Sequence, residues 1–204
     1  MATIIFDFDH TLFNTRDFKD TIDSLLLKHA DKQALEEAEK SYRKANFNNY
    51  DFKGHVDEIR KLGLQIDSAI FEQFDGLDLK KHLKGSVAKV ITNLKASGHK
   101  TILLTKGTEE FQNIKLERSG VKEIFGSDIV ICRSNKEKII GNIEVSGNVY
   151  IFNDNVDETL EIQKHFPNIK YVVCKRPDLN LDYEEVAKMF EVIDSIDYLE
   201  DLIK

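Results

Sequence analysis

Five short apolar runs, rich in β-branched residues and each broken off by polar or turn residues, constrain this chain more than any other feature. They lie at residues 3–8, 101–105, 128–132, 149–152 and 171–174, with a weaker sixth at 191–193. A strand with one wet face alternates apolar and polar residues. Runs such as Thr3-Ile4-Ile5-Phe6 and Thr101-Ile102-Leu103-Leu104 do not, as expected of strands buried on both faces of a parallel sheet. Parallel strands need crossovers, and the later connections supply them. Val87, Val90, Ile91 and Leu94 recur at helical spacing before Gly98, and Phe111, Ile114 and Leu116 precede Gly120. Leu160, Ile162 and Phe166 run up to Pro167. Strand–helix–strand order with right-handed crossovers predicts an α/β fold: a doubly wound, Rossmann-like parallel sheet of at least five strands.

The stretch between the first and second runs reads differently. Phe18, Ile22, Leu25 and Leu26 form one helical stripe; Leu35, Ala38, Tyr42 and Ala45 form a second. Val56, Ile59 and Leu62 form a third, and Ile70, Phe71 and Phe74 a short fourth. An all-helical block that separates the first strand from the rest of the sheet reads as an insertion. The expected division is an α/β core of residues 1–13 and 85–204 and a helical cap of residues 14–84.

The bulk composition narrows the partners. With 204 residues, 41% hydrophobic and 32% charged, the chain can bury a full core without staples. A net charge of −7 argues against a nucleic-acid platform, which needs clustered Lys and Arg. No apolar stretch is long enough for a bilayer, and the apolar N-terminus is too short for a signal segment. Cys132 and Cys174 each end an apolar run, as buried reduced thiols do. The expectation is a cytoplasmic protein with no membrane and no nucleic-acid partner.

Open α/β sheets bind ligands at the carboxyl ends of their strands. Asp7, Asp9 and Thr11 follow the first run, and Thr105, Lys106 and Gly107 follow the second. Lys136 and Lys138 come after the third; Asn153, Asp154, Asp157 and Glu158 come after the fourth. The topology therefore gathers polar, mostly ionisable groups along one edge. Singly, each has a plain structural reading. Asp-x-Asp can end a turn, Thr105 can cap a helix, and Asp157 or Glu158 can favour a helix N-terminus.

Together they resemble the haloacid dehalogenase-like superfamily. Its nucleophile motif, an apolar strand ending Asp-x-Asp-x-Thr, is matched by Ile4-Ile5-Phe6-Asp7-Phe8-Asp9-His10-Thr11, and its strand ending in Ser or Thr by Ile102-Leu103-Leu104-Thr105. A lysine and then an acid after the last catalytic strand complete the pattern, here Tyr150-Ile151-Phe152-Asn153-Asp154. The chain departs from it in several places: no Pro follows the lysine, the interval from the lysine to Asp154 is short, Lys106 stands where Asn is frequent, and Asn153 stands where Gly or Asp is usual. The resemblance implies that Asp7 attacks phosphorus to form an aspartyl-phosphate, and that Asp9 protonates the leaving alcohol and then activates water. It implies that Thr11 and Thr105 serve the phosphoryl group and that Lys136 or Lys138, Lys136 preferred, neutralises it. Lys106 is a further candidate for substrate contact. The implied cofactor is Mg²⁺, held by Asp7, Asp154 and the backbone carbonyl of Asp9, with Asp157, preferred to Glu158, in support.

Electrostatics independently asks for that cation. A phosphate dianion beside Asp7 and Asp154 meets repulsion of roughly 4 kcal/mol per unit pair about 4 Å apart at an effective dielectric of 20. Hard oxygen donors suit Mg²⁺. The implied activity is hydrolysis of a small phosphorylated metabolite. The alternatives are phosphotransfer by the same residues, or a non-catalytic metabolite-binding module. A dehalogenase is disfavoured because halide departure needs no proton from Asp9.

Overall fold

The computed structural model describes residues 1–46 and 49–203. Six parallel strands form one sheet in the order β3-β2-β1-β4-β5-β6. They are β1 (Ala2–Phe6), β2 (Lys100–Lys106), β3 (Ile129–Cys132), β4 (Asn148–Asn153), β5 (Lys170–Cys174) and β6 (Glu191–Ile193). Each expected run is a strand. Central β1 registers Ile5 against Ile102 of β2 and Ile151 of β4. Its five residues are all buried because both faces are covered. Ile4 and Phe6 enter one apolar cluster, and Ile5 enters the other with Ile102, Leu104, Ile151 and Val173.

After β1 the chain builds outward through β2 and β3, then returns to β4 on the other side. The connections reverse between β1 and β4, and a crevice opens at the carboxyl ends of strands there. Asp7 and Asp154 stand at those two ends. β1 closes at Phe6, sooner than the run to residue 8 suggested. Asp7 N–H still donates to Phe152 O at 2.9 Å, but the Leu12 and Phe13 N–H groups both turn back to the Phe8 carbonyl.

Helices α1 (Thr15–Leu26), α2 (Lys32–Ala45), α3 (Phe52–Lys61) and α4 (Ala69–Asp75) lie between β1 and β2. Asn14, Asp31 and Asp51 accept from backbone N–H groups at the first three N-termini. The helices flanking the sheet are α5 (Val87–Ala96), α6 (Glu109–Arg118), α7 (Val121–Phe125), α8 (Glu137–Ile140), α9 (Val156–His165), α10 (Tyr183–Val186) and α11 (Leu199–Leu202).

The inserted helices share an apolar cluster with one face of the sheet. Phe18 of α1 is the hinge of that continuity. Its ring lies 5.5 Å from Phe13, 6.4 Å from Phe74 of α4 and 6.2 Å from Phe111 of α6, centroid to centroid. Three stripe positions fall outside: Tyr42 is half-buried, and Ala45 and Leu62, at or just past helix ends, are exposed. Among the described residues no helix is long and apolar enough to cross a membrane.

Because Phe18 joins the two regions, Phe18→Ala should remove about 3–5 kcal/mol of unfolding free energy in urea titrations. A loss below about 1 kcal/mol would show that the two regions do not depend on this contact.

Candidate active site

The chain reverses tightly after Phe8, and that reversal aims the acids. His10 takes φ 60°, a left-handed conformation that costs a non-glycine residue energy. Three contacts hold it there. The His10 N–H donates to Thr15 Oγ1 at 3.0 Å, the Thr15 hydroxyl donates to Asp9 Oδ1 at 2.7 Å, and Lys84 Nζ donates to the His10 carbonyl. Phe8 is fully buried between the two acids.

Asp7 is 8% exposed and both its oxygens are engaged. Lys136 Nζ lies 2.7 Å from Oδ1, and Thr11 Oγ1 lies 3.0 Å from Oδ2. The same Thr11 hydroxyl lies 3.1 Å from Asp154 Oδ1, so one hydroxyl links the two carboxylates. Burial, with Asp154 and Glu158 nearby, pushes Asp7 up to about 7 against the pull of Lys136. Lys136 is 4% exposed and also lies 2.7 Å from Glu158 Oε2. Burial disfavours its charge, but Asp7 and Glu158 more than offset that and hold its pKa above the usual lysine range. Asn153 reinforces the group, its amide donating to Glu158 Oε2 at 3.1 Å.

Asp9 occupies a separate, cationic nest. Lys115 Nζ lies 2.6 and 2.7 Å from its two oxygens, and the Gln112 amide donates to Oδ2 at 2.9 Å. Burial raises the Asp9 pKa, but Lys115 outweighs it together with the bonds from Gln112 and Thr15, and the net direction is down. Lys115 is 3% exposed, and its ammonium lies 5.4 Å from the ring centroids of both Phe8 and Phe111.

The remaining sequence candidates divide. Thr105 is fully buried at the end of β2, and its hydroxyl has no hydrogen-bond partner among the described residues. The Thr101 and Thr108 hydroxyls are in the same state, and what sets Thr105 apart is its place near the carboxyl end of β2, on the edge that carries Asp7 and Asp154. Lys106 is exposed and lines a cavity of about 350 Å³ that also borders Asp9 and His10. Lys138 is exposed and makes no salt bridge among the described residues; the buried lysine is Lys136. Asp157 is likewise exposed at the first turn of α9, and Glu158 is the acid that meets the lysine. Neighbouring helical residues point about 100° apart, so only one of the pair faces inward.

Asp154 is 4% exposed, and its Oδ2 lies 3.1 Å from Arg176 Nη1. Among the described residues no three His, Cys, Asp or Glu side chains form a metal cage. The donor set fits Mg²⁺ nonetheless. Mg²⁺ keeps several waters and is commonly held by one or two carboxylates. Asp7 and Asp154, linked through Thr11 and buried with their charges close, are such a pair.

Lys115, Gln112, Thr15 and Arg176 were not picked out by sequence reasoning. Lys115 stands four residues after Phe111, on the helix face already read as apolar, and a lysine there was the available signal. Arg176 follows the fifth strand just as the other site residues follow theirs. Lys115→Met should raise the Asp9 pKa by about 1–3 pH units, followed by carbon-13 NMR of labelled carboxylates, and Lys115→Arg should keep it low. An Asp9 signal that titrates unchanged in Lys115→Met would contradict the assigned ion pair.

A sequence model described as haloacid dehalogenase-like hydrolase matches residues 1–187. No curated protein matches the chain. Among solved structures, a putative haloacid dehalogenase-like hydrolase from Burkholderia xenovorans LB400 superposes with a TM-score of 0.79 at 16% identity, covering 97% of this chain and 94% of that one. A phosphoserine phosphohydrolase-like protein from Francisella tularensis gives 0.61 at 16% identity, covering 100% of both chains. L-2-haloacid dehalogenase from Xanthobacter autotrophicus, with chloropropionic acid covalently bound, gives 0.59 at 16% identity, covering 98% of this chain and 97% of that one. These likenesses establish the fold, and the match over residues 1–187 establishes the family: the chain belongs to the haloacid dehalogenase-like hydrolases.

Proposed function

We propose that this hydrolase is a Mg²⁺-dependent phosphatase of small phosphate monoesters, with Asp7 as nucleophile and Asp9 as the proton-transfer group. The observation that carries the reading is Asp9, a second carboxylate two residues after Asp7 that borders the cavity. An alkoxide leaving from phosphorus must be protonated, whereas a departing halide needs no proton. The buried acid Asp154, linked to Asp7 through Thr11, supports a bound cation in this site, since the two carboxylates would otherwise repel an anionic substrate.

In this reading Asp7, Asp154 and the Asp9 carbonyl hold Mg²⁺, which supplies positive charge beside the transferring phosphoryl group. Asp7 attacks phosphorus with the oxygen that Lys136 does not hold, and the phosphorus–oxygen ester bond breaks. Lys136, paired with Glu158, fixes the carboxylate's rotamer and offsets charge on the phosphoryl oxygens. The orphan Thr105 hydroxyl donates to one of those oxygens. Asp9 in its ionised form accepts a proton from the hydrolytic water. To protonate the departing alkoxide it must first release Lys115, which occupies both of its oxygens, and take up a proton from solvent; the proton it then gives to the alkoxide is replaced by the one it accepts from the hydrolytic water.

Purified protein should hydrolyse members of a broad panel of small phosphate monoesters with Mg²⁺, and chelation should abolish turnover. Asp7→Asn should lower kcat by roughly 10⁴-fold or more. Asp9→Asn should lower kcat on alkyl phosphates by about 10²–10⁴-fold. A panel without turnover in the presence of Mg²⁺ would overturn the phosphatase reading, and an Asp9→Asn variant at full rate would overturn the role of Asp9.

A further inference from the structure

The cavity beside Asp9 lies where the inserted helices meet the α/β core. Its walls come from α1, α2, α6 and the end of β2. Asp7 is not part of that lining, whereas Asp9 is. With phosphorus at Asp7 and the ester oxygen toward Asp9, as the phosphatase reading requires, the cavity receives the leaving group. Its chemistry therefore describes the alcohol half of the substrate.

Three features define it. Phe18, Ile22 and Phe111 give it an apolar wall. Four basic side chains line it against two carboxylates, in a chain whose net charge is −7. Most of those charges are already matched within the protein. Lys115 is bound to Asp9, and Glu39 receives both Lys19, at 2.7 Å, and Arg43, at 2.8 Å. Lys106 is the exception: among the described residues it makes no salt bridge, and it stands one residue beyond Thr105. An excess of positive charge in a concave site within an acidic protein selects anions from solution. A leaving group bearing an ammonium would add to that excess. A neutral polyol could meet Thr15, Asn49, Tyr50 and Gln112, which also line the cavity, but it would leave Lys106 unmatched.

We infer that the preferred substrate is a phosphorylated hydroxy acid. Its compact hydrocarbon body packs on Phe18, Ile22 and Phe111, and its carboxylate pairs with Lys106. The cavity of about 350 Å³ is at the small end for ligand sites. Set against water's share of roughly 30 Å³, it admits on the order of ten heavy atoms of leaving group. The inference rests on the phosphatase reading for its phosphate but not for its carboxylate, and the two separate experimentally.

The test uses the full chain with Mg²⁺ and three esters that share one hydrocarbon body: a plain alkyl phosphate, its terminal carboxylate and its terminal ammonium derivative. The carboxylated ester should lead in kcat/KM by about tenfold or more. Lys106→Met should bring the ratio of carboxylated to plain ester close to one, and Lys106→Arg should preserve it. In parallel, calorimetry with the free hydroxy acid and the matching uncharged alcohol reads the cavity without turnover. The acid should bind more tightly, and Lys106→Met should erase the difference. Lys106-dependent binding of the acid without hydrolysis of any ester would refute the phosphatase reading and sustain the carboxylate site. Equal binding of acid and alcohol, a preference for the ammonium ester, or an unchanged ratio in Lys106→Met would overturn the inference.

Discussion

Buried or part-buried carboxylates at the strand ends are tolerable only because each has a cation assigned to it, and the site is organised around that requirement. Lys136 meets Asp7, Lys115 meets Asp9, and Arg176 meets Asp154. Taking one charge out of water costs several kcal/mol, and a close, hydrogen-bonded counter-charge is what offsets it. The three cations come from three places: the start of α8, the inner face of α6 and the loop after β5. No two neighbours in sequence make any of these pairs. The electrostatics of the site therefore exist only once the sheet has assembled, and fold and chemistry are coupled through desolvation.

The same coupling explains how the inserted helices relate to the chemistry. Phe111 touches Phe18 and Phe74 on one side and the Lys115 ammonium on the other. The apolar seam that joins insertion to core thus also walls the cation that holds Asp9. Lys19, Glu39 and Arg43 also line the cavity, where the Lys19–Glu39 pair joins α1 to α2 and Arg43 meets Glu39 within α2.

Much of this was legible in the residues. Unbroken apolar runs report strands covered on both faces, and the order of runs and helical stripes fixes a parallel sheet whose carboxyl edge collects Asp7, Asp9, Thr105, Lys136 and Asp154. Finer choices were not legible, for reasons that are geometric. Lys136 and Lys138 sit two residues apart at the start of a four-residue helix, where spacing says nothing about which turns inward. Asp157 was preferred to Glu158, but the turn of α9 puts Glu158 on the lysine and Asp157 in solvent. Lys115 was hidden because a charge on an apolar helix face looks like an interruption until its carboxylate, 106 residues away in sequence, comes into view. Arg176 stands two residues past the fifth strand, on the same edge as the other site groups, and is as legible there as they are.

In the proposed reaction Asp7 becomes covalently phosphorylated. A rapid acid quench during turnover, followed by mass spectrometry of the peptide that contains Asp7, tests it most directly. A phosphoryl group on Asp7 should accumulate when substrate is added with Mg²⁺ and be missing in Asp7→Asn. Steady turnover with Asp7 unmodified at every quench time, or with the phosphoryl group on another residue, would contradict it.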